Sequence, residues 1–158
     1  MIKYLTGDAT APVGEGNKII VHVCNDIGGW GRGFVLALSK RWPTPESSYR
    51  AWAAKELDLP FELGQVQFVE VAKDTWVANM IGQHKTTAID GVPPVRYEAI
   101  EEALGRVAGF ALDNSATVHM PRIGCGLAGG IWGEVESRIN LSVCIRNVSV
   151  TVYDLPAE

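Results

Sequence analysis

The stretch that most constrains this 158-residue chain is Met120 to Trp132, MPRIGCGLAGGIW. It follows a short apolar run, Ala116 to His119, that reads as a strand. It precedes an amphipathic run from about Ile131 that reads as a helix. Gly124, Gly126, Ala128, Gly129 and Gly130 keep the connection nearly free of side chains. A strand, a small-residue loop and a helix start together form a concave nest of backbone N–H groups. The helix dipole adds to it, so such a loop can hold a phosphate or pyrophosphate. The spacing is neither the dinucleotide fingerprint nor the lysine-containing nucleotide loop. On spacing alone, phosphate binding and a plain turn both stay open.

The rest of the chain alternates strands and helices. Ile2 to Leu5 is a short first strand that ends at Gly7-Asp8. Lys18 to Cys24 (KIIVHVC) is apolar and β-branched, and reads as a central buried strand. Asn25 to Gly33 (NDIGGWGRG) is another glycine loop, the first in chain order, which makes Met120 to Trp132 the second. Phe34 to Trp42 reads as a helix stopped by Pro43. Glu46 to Leu57 reads as another, with Thr44-Pro45 as cap and first-turn proline. Val66 to Val71 and Trp76 to Ile81 alternate around Lys73-Asp74 and predict a hairpin. Val95 to Leu112 is helical, with Ile100, Leu104, Val107 and Ala108 on one face. Val148 to Leu155 is a final strand. This order predicts a three-layer α/β/α fold with a mixed, mostly parallel central sheet. Ligands of such sheets bind at the carboxyl ends of strands, where both glycine loops fall.

Composition excludes several function classes. Residues 1–158 have the length of one domain. The net charge of -4, without a basic run, argues against a nucleic-acid polymer as partner. No apolar stretch is long enough to span a membrane, and the start has no signal-peptide pattern. Three cysteines, Cys24, Cys125 and Cys144, lack metal spacing and fit a reducing, cytoplasmic setting. No metal and no cofactor are expected.

With these residues placed, the chain resembles a macrodomain, the ADP-ribose-binding module. The resemblance covers essentially the whole length. It rests on Gly7-Asp8, on HVCNDIGGWGRGFV at His22 to Val35, on NMIGQ at Asn79 to Gln83, on MPRIGCGLAGGIW, and on VTVYDL at Val150 to Leu155. Within the superfamily it is most similar to the branch holding terminal ADP-ribose protein glycohydrolase and the ADP-ribose-1''-phosphate phosphatases.

The resemblance implies a role for each matching position. Asp8 would accept a hydrogen bond from the adenine amino group, with the Ala9 amide beside it. Tyr153 and Leu155 would line the adenine pocket. Cys24, Asn25, Gly31, Arg32 and Gly33 would wrap the distal ribose and one phosphate. Gly124, Cys125, Gly126, Leu127, Ala128 and Gly129 would cradle the pyrophosphate. Arg122 joins this binding set, although its guanidinium is better suited to pairing with a carboxylate, or its stem to packing, than to touching phosphate. His22 lies in an apolar strand and reads as a core residue, yet it is the counterpart of a residue implicated in the phosphatase relatives.

In the glycohydrolase branch a lysine after the strand matching Asn79 to Ile81 attacks the ribose, assisted by an aspartate after Gly-Cys-Gly-Leu. Here those positions read Gln83 and Ala128, and neither can be a nucleophile or base. The expected activity is therefore water attack on ADP-ribose esters of Asp or Glu in mono-ADP-ribosylated proteins. Asn25, Asp26, Arg32 and Gln83 are the candidate catalytic residues, with Gln83 orienting the water. Phosphatase action on ADP-ribose-1''-phosphate and non-catalytic reading of ADP-ribose are the alternatives.

Overall fold

The computed structural model describes residues 1–157. Six strands form one sheet: β1 (Ile2–Thr6), β2 (Asn17–Asn25), β3 (Val66–Ala72), β4 (Thr75–Gln83), β5 (Ala116–Met120) and β6 (Val150–Asp154). Their spatial order is β1-β6-β5-β2-β4-β3. All neighbours are parallel except β3, which pairs antiparallel with β4 at one edge. The sheet is thus mixed and mostly parallel. In β2, His22 and Cys24 are buried on one face while Ile19 and Val21 are buried on the other, as expected of a strand covered on both sides.

Helices cover both faces. α3 (Tyr97–Asp113) and α4 (Trp132–Ser142) enclose the larger core, where Ile19, Val21, Met80, Ile100, Leu104 and Ile139 are fully buried. α1 (Phe34–Arg41) and α2 (Thr44–Ala53) enclose a smaller, aromatic core around Tyr49 and Trp52, both fully inaccessible. No helix among the described residues is long and apolar enough to cross a membrane.

Helix boundaries shift where tertiary contacts override local pattern. α3 begins at Tyr97, not Val95, because Val95 bridges to Gln83 and donates its N–H to Ala128 O. α2 ends at Ala53, short of Leu57, and the chain reverses through Lys55 at φ 61. Thr44 is not its cap: it is already helical, and no side chain caps this end. Trp42 is extended before Pro43, so proline does stop α1. A short 3-10 turn at Cys144–Arg146 had no distinct sequence signal.

Two histidines are buried on the α1/α2 side of the sheet. Asn79 donates through Nδ2 to Pro45 O and Gln67 Oε1, so its Oδ1 must accept from His22 Nε2, 2.5 Å away. His119 Nδ1 lies 2.8 Å from the Tyr153 hydroxyl, and its Nε2 2.7 Å from Thr117 Oγ1. Burial pushes the pKa of each imidazole down to about 4. The unfolded chain takes up these protons near pH 6.5, the folded chain only near 4. Stability should therefore fall as pH drops from 6.5 toward 4, at up to about 1.4 kcal/mol per pH unit for each histidine. Urea titrations at intervals between pH 7 and 5 should show a shallower decline for His119→Gln than for the wild type. An identical decline in both would contradict the burial of a neutral imidazole.

Candidate functional site

The parallel sheet brings three carboxyl ends together. β2 ends at Asn25 and β4 at Gln83, which pair with one another, and β5 leads into Met120-Pro121 beside them. The loops leaving these ends enclose two adjoining cavities. The larger, about 680 Å³, is walled by the first glycine loop, Gln83, Arg50 of α2 and Thr86-Thr87. The smaller, about 200 Å³, is walled by the second glycine loop, from Pro121 to Ala128, and by His22. Val23, Arg32, Val35, Gln83 and Leu127 line both and join them into one cleft.

The first loop is held open by a side chain rather than by packing alone. Asn25 Oδ1 accepts from the N–H groups of Ile27 and Gly29, and Nδ2 donates to Gly29 O at 2.8 Å. The buried Tyr49 hydroxyl donates toward Asn25 O and Oδ1, at 2.6 and 3.0 Å. The second loop closes on itself through Gly130 N–H to Gly124 O at 2.7 Å, with Gly124 at φ 72 and Gly129 at φ 76. α4 then starts at Trp132 with no side-chain cap at Ile131, whose own N–H donates to the Tyr97 hydroxyl.

Electrostatics distinguish the cleft from the rest of the surface. Arg32, Arg50 and Arg122 are in its walls, and no Asp or Glu among the described residues lines either cavity. This occurs in a chain with 18 acidic and 14 basic residues. Arg32 is exposed, lines both cavities and makes no side-chain hydrogen bond among the described residues. The cleft is suited to an extended anion.

Several sequence-based expectations need correction. Asn25 faces the larger cavity, but its amide is committed to the loop, so it positions rather than catalyses. Asp26 lines neither cavity: Oδ2 pairs with His84 Nδ1 and Oδ1 accepts Lys85 N–H, each at 2.7 Å. It ties two rim loops together and has no lone role as a base. The Arg122 guanidinium is drawn away into a bidentate pair with Asp154, at 2.7 and 3.1 Å, over the rings of Tyr4 and Trp132. Tyr153 is buried, and its hydroxyl accepts Val13 N–H at 3.0 Å, so the ring offers no open stacking face.

Asp8, Ala9 and Leu155 lie outside both cavities. Asp8 Oδ1 accepts from Thr10 N and Oγ1, leaving Oδ2 without a partner among the described residues. Cys24, Gly31, Gly33, Gly124, Gly126, Leu127 and Ala128 line the cleft, whereas Cys125 and Gly129 do not. Burial raises the thiol pKa of both Cys24 and Cys125, which disfavours their thiolates. Gln83 reaches both cavities; its Nε2 donates to Lys85 O at 2.8 Å, and Oε1 has no partner among the described residues. Arg50, Thr86 and Thr87 were not anticipated. Arg50 sits inside a helix and the threonines in a polar loop, and neither carries a local motif.

A doubly covered, mostly parallel sheet with an arginine-lined cleft at its carboxyl edge defines a protein of the α/β class with the cleft where such sheets hold ligands. The comparisons narrow this to a family. A macrodomain protein from Streptomyces coelicolor is 56% identical in sequence, with a TM-score of 0.86, covering 98% of this chain and 99% of that one. Mouse chromodomain-helicase-DNA-binding protein 1-like is 32% identical over 165 residues, and the chain spans 18% of its length. The ADP-ribose 1''-phosphate phosphatase of Candida albicans is 25% identical over 146 residues, covering 88% of this chain and 92% of that protein. No family model matches the chain. The chain belongs to the macrodomain family.

Two glycines of the second loop respond differently to a methyl group. A Cβ on Gly130 would overlap the carbonyl oxygen of Gly124, whereas one on Gly126 meets nothing within 4 Å. Gly130→Ala should lower unfolding free energy by roughly 1–3 kcal/mol, as overpacking does. Gly126→Ala should cost no more than about 0.5 kcal/mol, as at a free surface site. Equal midpoints for the two variants in urea would contradict this loop geometry.

Proposed function

We propose that the protein binds ADP-ribose along the cleft and hydrolyses it from Asp and Glu side chains of mono-ADP-ribosylated proteins. One observation carries this reading: the cleft has Arg32 lining both cavities, glycine loops on either side, and no carboxylate among the described residues in its walls. A pyrophosphate on the second loop, bridged by Arg32, satisfies that wall. The distal ribose then falls in the larger cavity beside Gln83. Asp8, outside both cavities, has an unpaired Oδ2 that suits the adenine amino group.

The chemistry follows from the leaving group. An Asp or Glu ester departs as a carboxylate with a pKa of about 4, so no strong general acid is needed. Water forms a bond to the anomeric carbon as the carbon–carboxylate oxygen bond breaks. The electron pair leaves with the carboxylate, and the proton of the attacking water passes to solvent. Gln83 Oε1 can accept a hydrogen bond from that water and orient it. With Gln83 and Ala128 at the matching positions, no lysine adduct forms.

A second reading is favoured by the Candida relative, which is named an ADP-ribose 1''-phosphate phosphatase. His22 lines the smaller cavity, but its Nε2–H is held by Asn79 and its pKa lies near 4, so it is a poor proton donor at neutral pH.

Release of ADP-ribose should be measured from Glu-, Ser- and Arg-modified proteins, alongside phosphate release from ADP-ribose-1''-phosphate. The expected result is release from Glu, little or none from Ser or Arg, and no covalent adduct on trapping. A lysine-linked adduct, or faster release from Ser than from Glu, would refute the mechanism. Phosphate release without release from Glu would favour the second reading.

A further inference from the structure

The arginine of α2 is the one charged group of the cleft that the reading above leaves without work. Arg50 lines only the larger cavity, whereas Arg32 lines both and the second glycine loop, apart from Leu127, lines only the smaller. Arg50 is therefore at the end of the cleft away from the pyrophosphate loop. Its Nε donates to Glu46 Oε2 at 2.9 Å, one helical turn back. Glu46 Oε1 accepts from Ser39 Oγ at 3.2 Å, and Ser39 Oγ accepts Trp30 Nε1–H at 2.9 Å. The chain Trp30, Ser39, Glu46, Arg50 sets the guanidinium and the indole against the same wall.

The outer nitrogens of Arg50 are only loosely engaged. Nη1 is 3.4 Å from Gly28 O and Nη2 is 3.5 Å from Trp30 O, well beyond the usual 2.9–3.0 Å. A guanidinium fixed at Nε with two weakly used Nη groups is a fork for a two-oxygen anion. Thr86 and Thr87 line the same cavity and add hydroxyl donors. Glu46 balances part of the charge, but it is not in the cavity wall.

We propose that Arg50 is a specificity residue that forms a distal oxyanion subsite, recognising an oxyanion attached to or leaving the anomeric carbon of the distal ribose. This rests on the ADP-ribose reading of the cleft. The oxyanion is either a 1''-phosphate or the departing carboxylate of an Asp or Glu ester. Its chemistry is the same in both cases, and a cationic aglycone such as a modified arginine is disfavoured there.

The test compares a ligand with and without the distal anion. Calorimetry with ADP-ribose and with ADP-ribose-1''-phosphate, kept intact as checked by phosphorus NMR, is run on the wild type, Arg50→Gln and Arg50→Lys. The wild type should prefer the 1''-phosphate by roughly tenfold to a hundredfold, as expected for hydrogen bonds to a charged group. In Arg50→Gln that ratio should collapse toward one, with Arg50→Lys between. A loop-supporting role alone would weaken both ligands together and leave the ratio intact, and that result would overturn the proposal. So would a wild type with no preference. Should Arg50→Gln fail to fold, the ratio in Arg50→Lys decides. Turnover then separates the sources: a lower kcat on Glu-linked substrate assigns the carboxylate, and a loss confined to the 1''-phosphate assigns the phosphate. Absence of any ADP-ribose binding to the wild type would instead defeat the underlying reading of the cleft.

Discussion

The parallel hydrogen bonding of β2 between β4 and β5 fixes everything that matters for the site. It aligns three carboxyl ends, so that Asn25, Gln83 and the loop after Met120 become neighbours although they are far apart in sequence. Parallel strands require crossovers, and these crossovers carry the helices to both faces. The faces are then dry, which explains why β2 is almost wholly buried. With water excluded below, the loops above are the only place where backbone N–H groups and charge can meet a ligand.

The loops are rigid by different means. The first is organised by one asparagine amide, itself held by a tyrosine from the smaller core. The second is organised by glycine, because its backbone folds so closely that side chains have no room at Gly130. Charge is sorted around them. Arg32 has no side-chain partner among the described residues, Arg50 is aimed by Glu46, and Arg122, at the wall of the smaller cavity, is paired with Asp154. Acidic residues predominate in the chain, yet they stay out of the cavity walls. Such sorting leaves the cleft walls with basic side chains, which suits an anion.

Much of this was legible in the sequence. Apolar β-branched runs followed by glycine clusters located both loops, since strand period and backbone freedom leave local signatures. Helix ends were less legible: Val95 left its helix to pair across the rim, a contact no local pattern announces. Side-chain allegiance was the least legible. Asp26, Asn25, Arg122 and Tyr153 all had the right chemistry for a ligand. Each instead satisfies a neighbour that the fold supplies from 24 or more residues away, except the loop amides beside Asn25. Arg50 and the two threonines were missed for the converse reason. They reach the site from a helix and a rim loop whose own sequences look like ordinary solvent-facing polar segments.

The decisive measurement is titration calorimetry of ADP-ribose, in the presence of a chelator, into the wild type and into Gly126→Glu. The new side chain at Gly126 enters open space at the wall of the smaller cavity, so the variant should fold and place a carboxylate where the pyrophosphate would sit. Heat of binding at one site in the wild type, and none in a variant with an unaltered melting profile, is the predicted result. No heat in the wild type at millimolar ligand, or equal affinity in the folded variant, would contradict it.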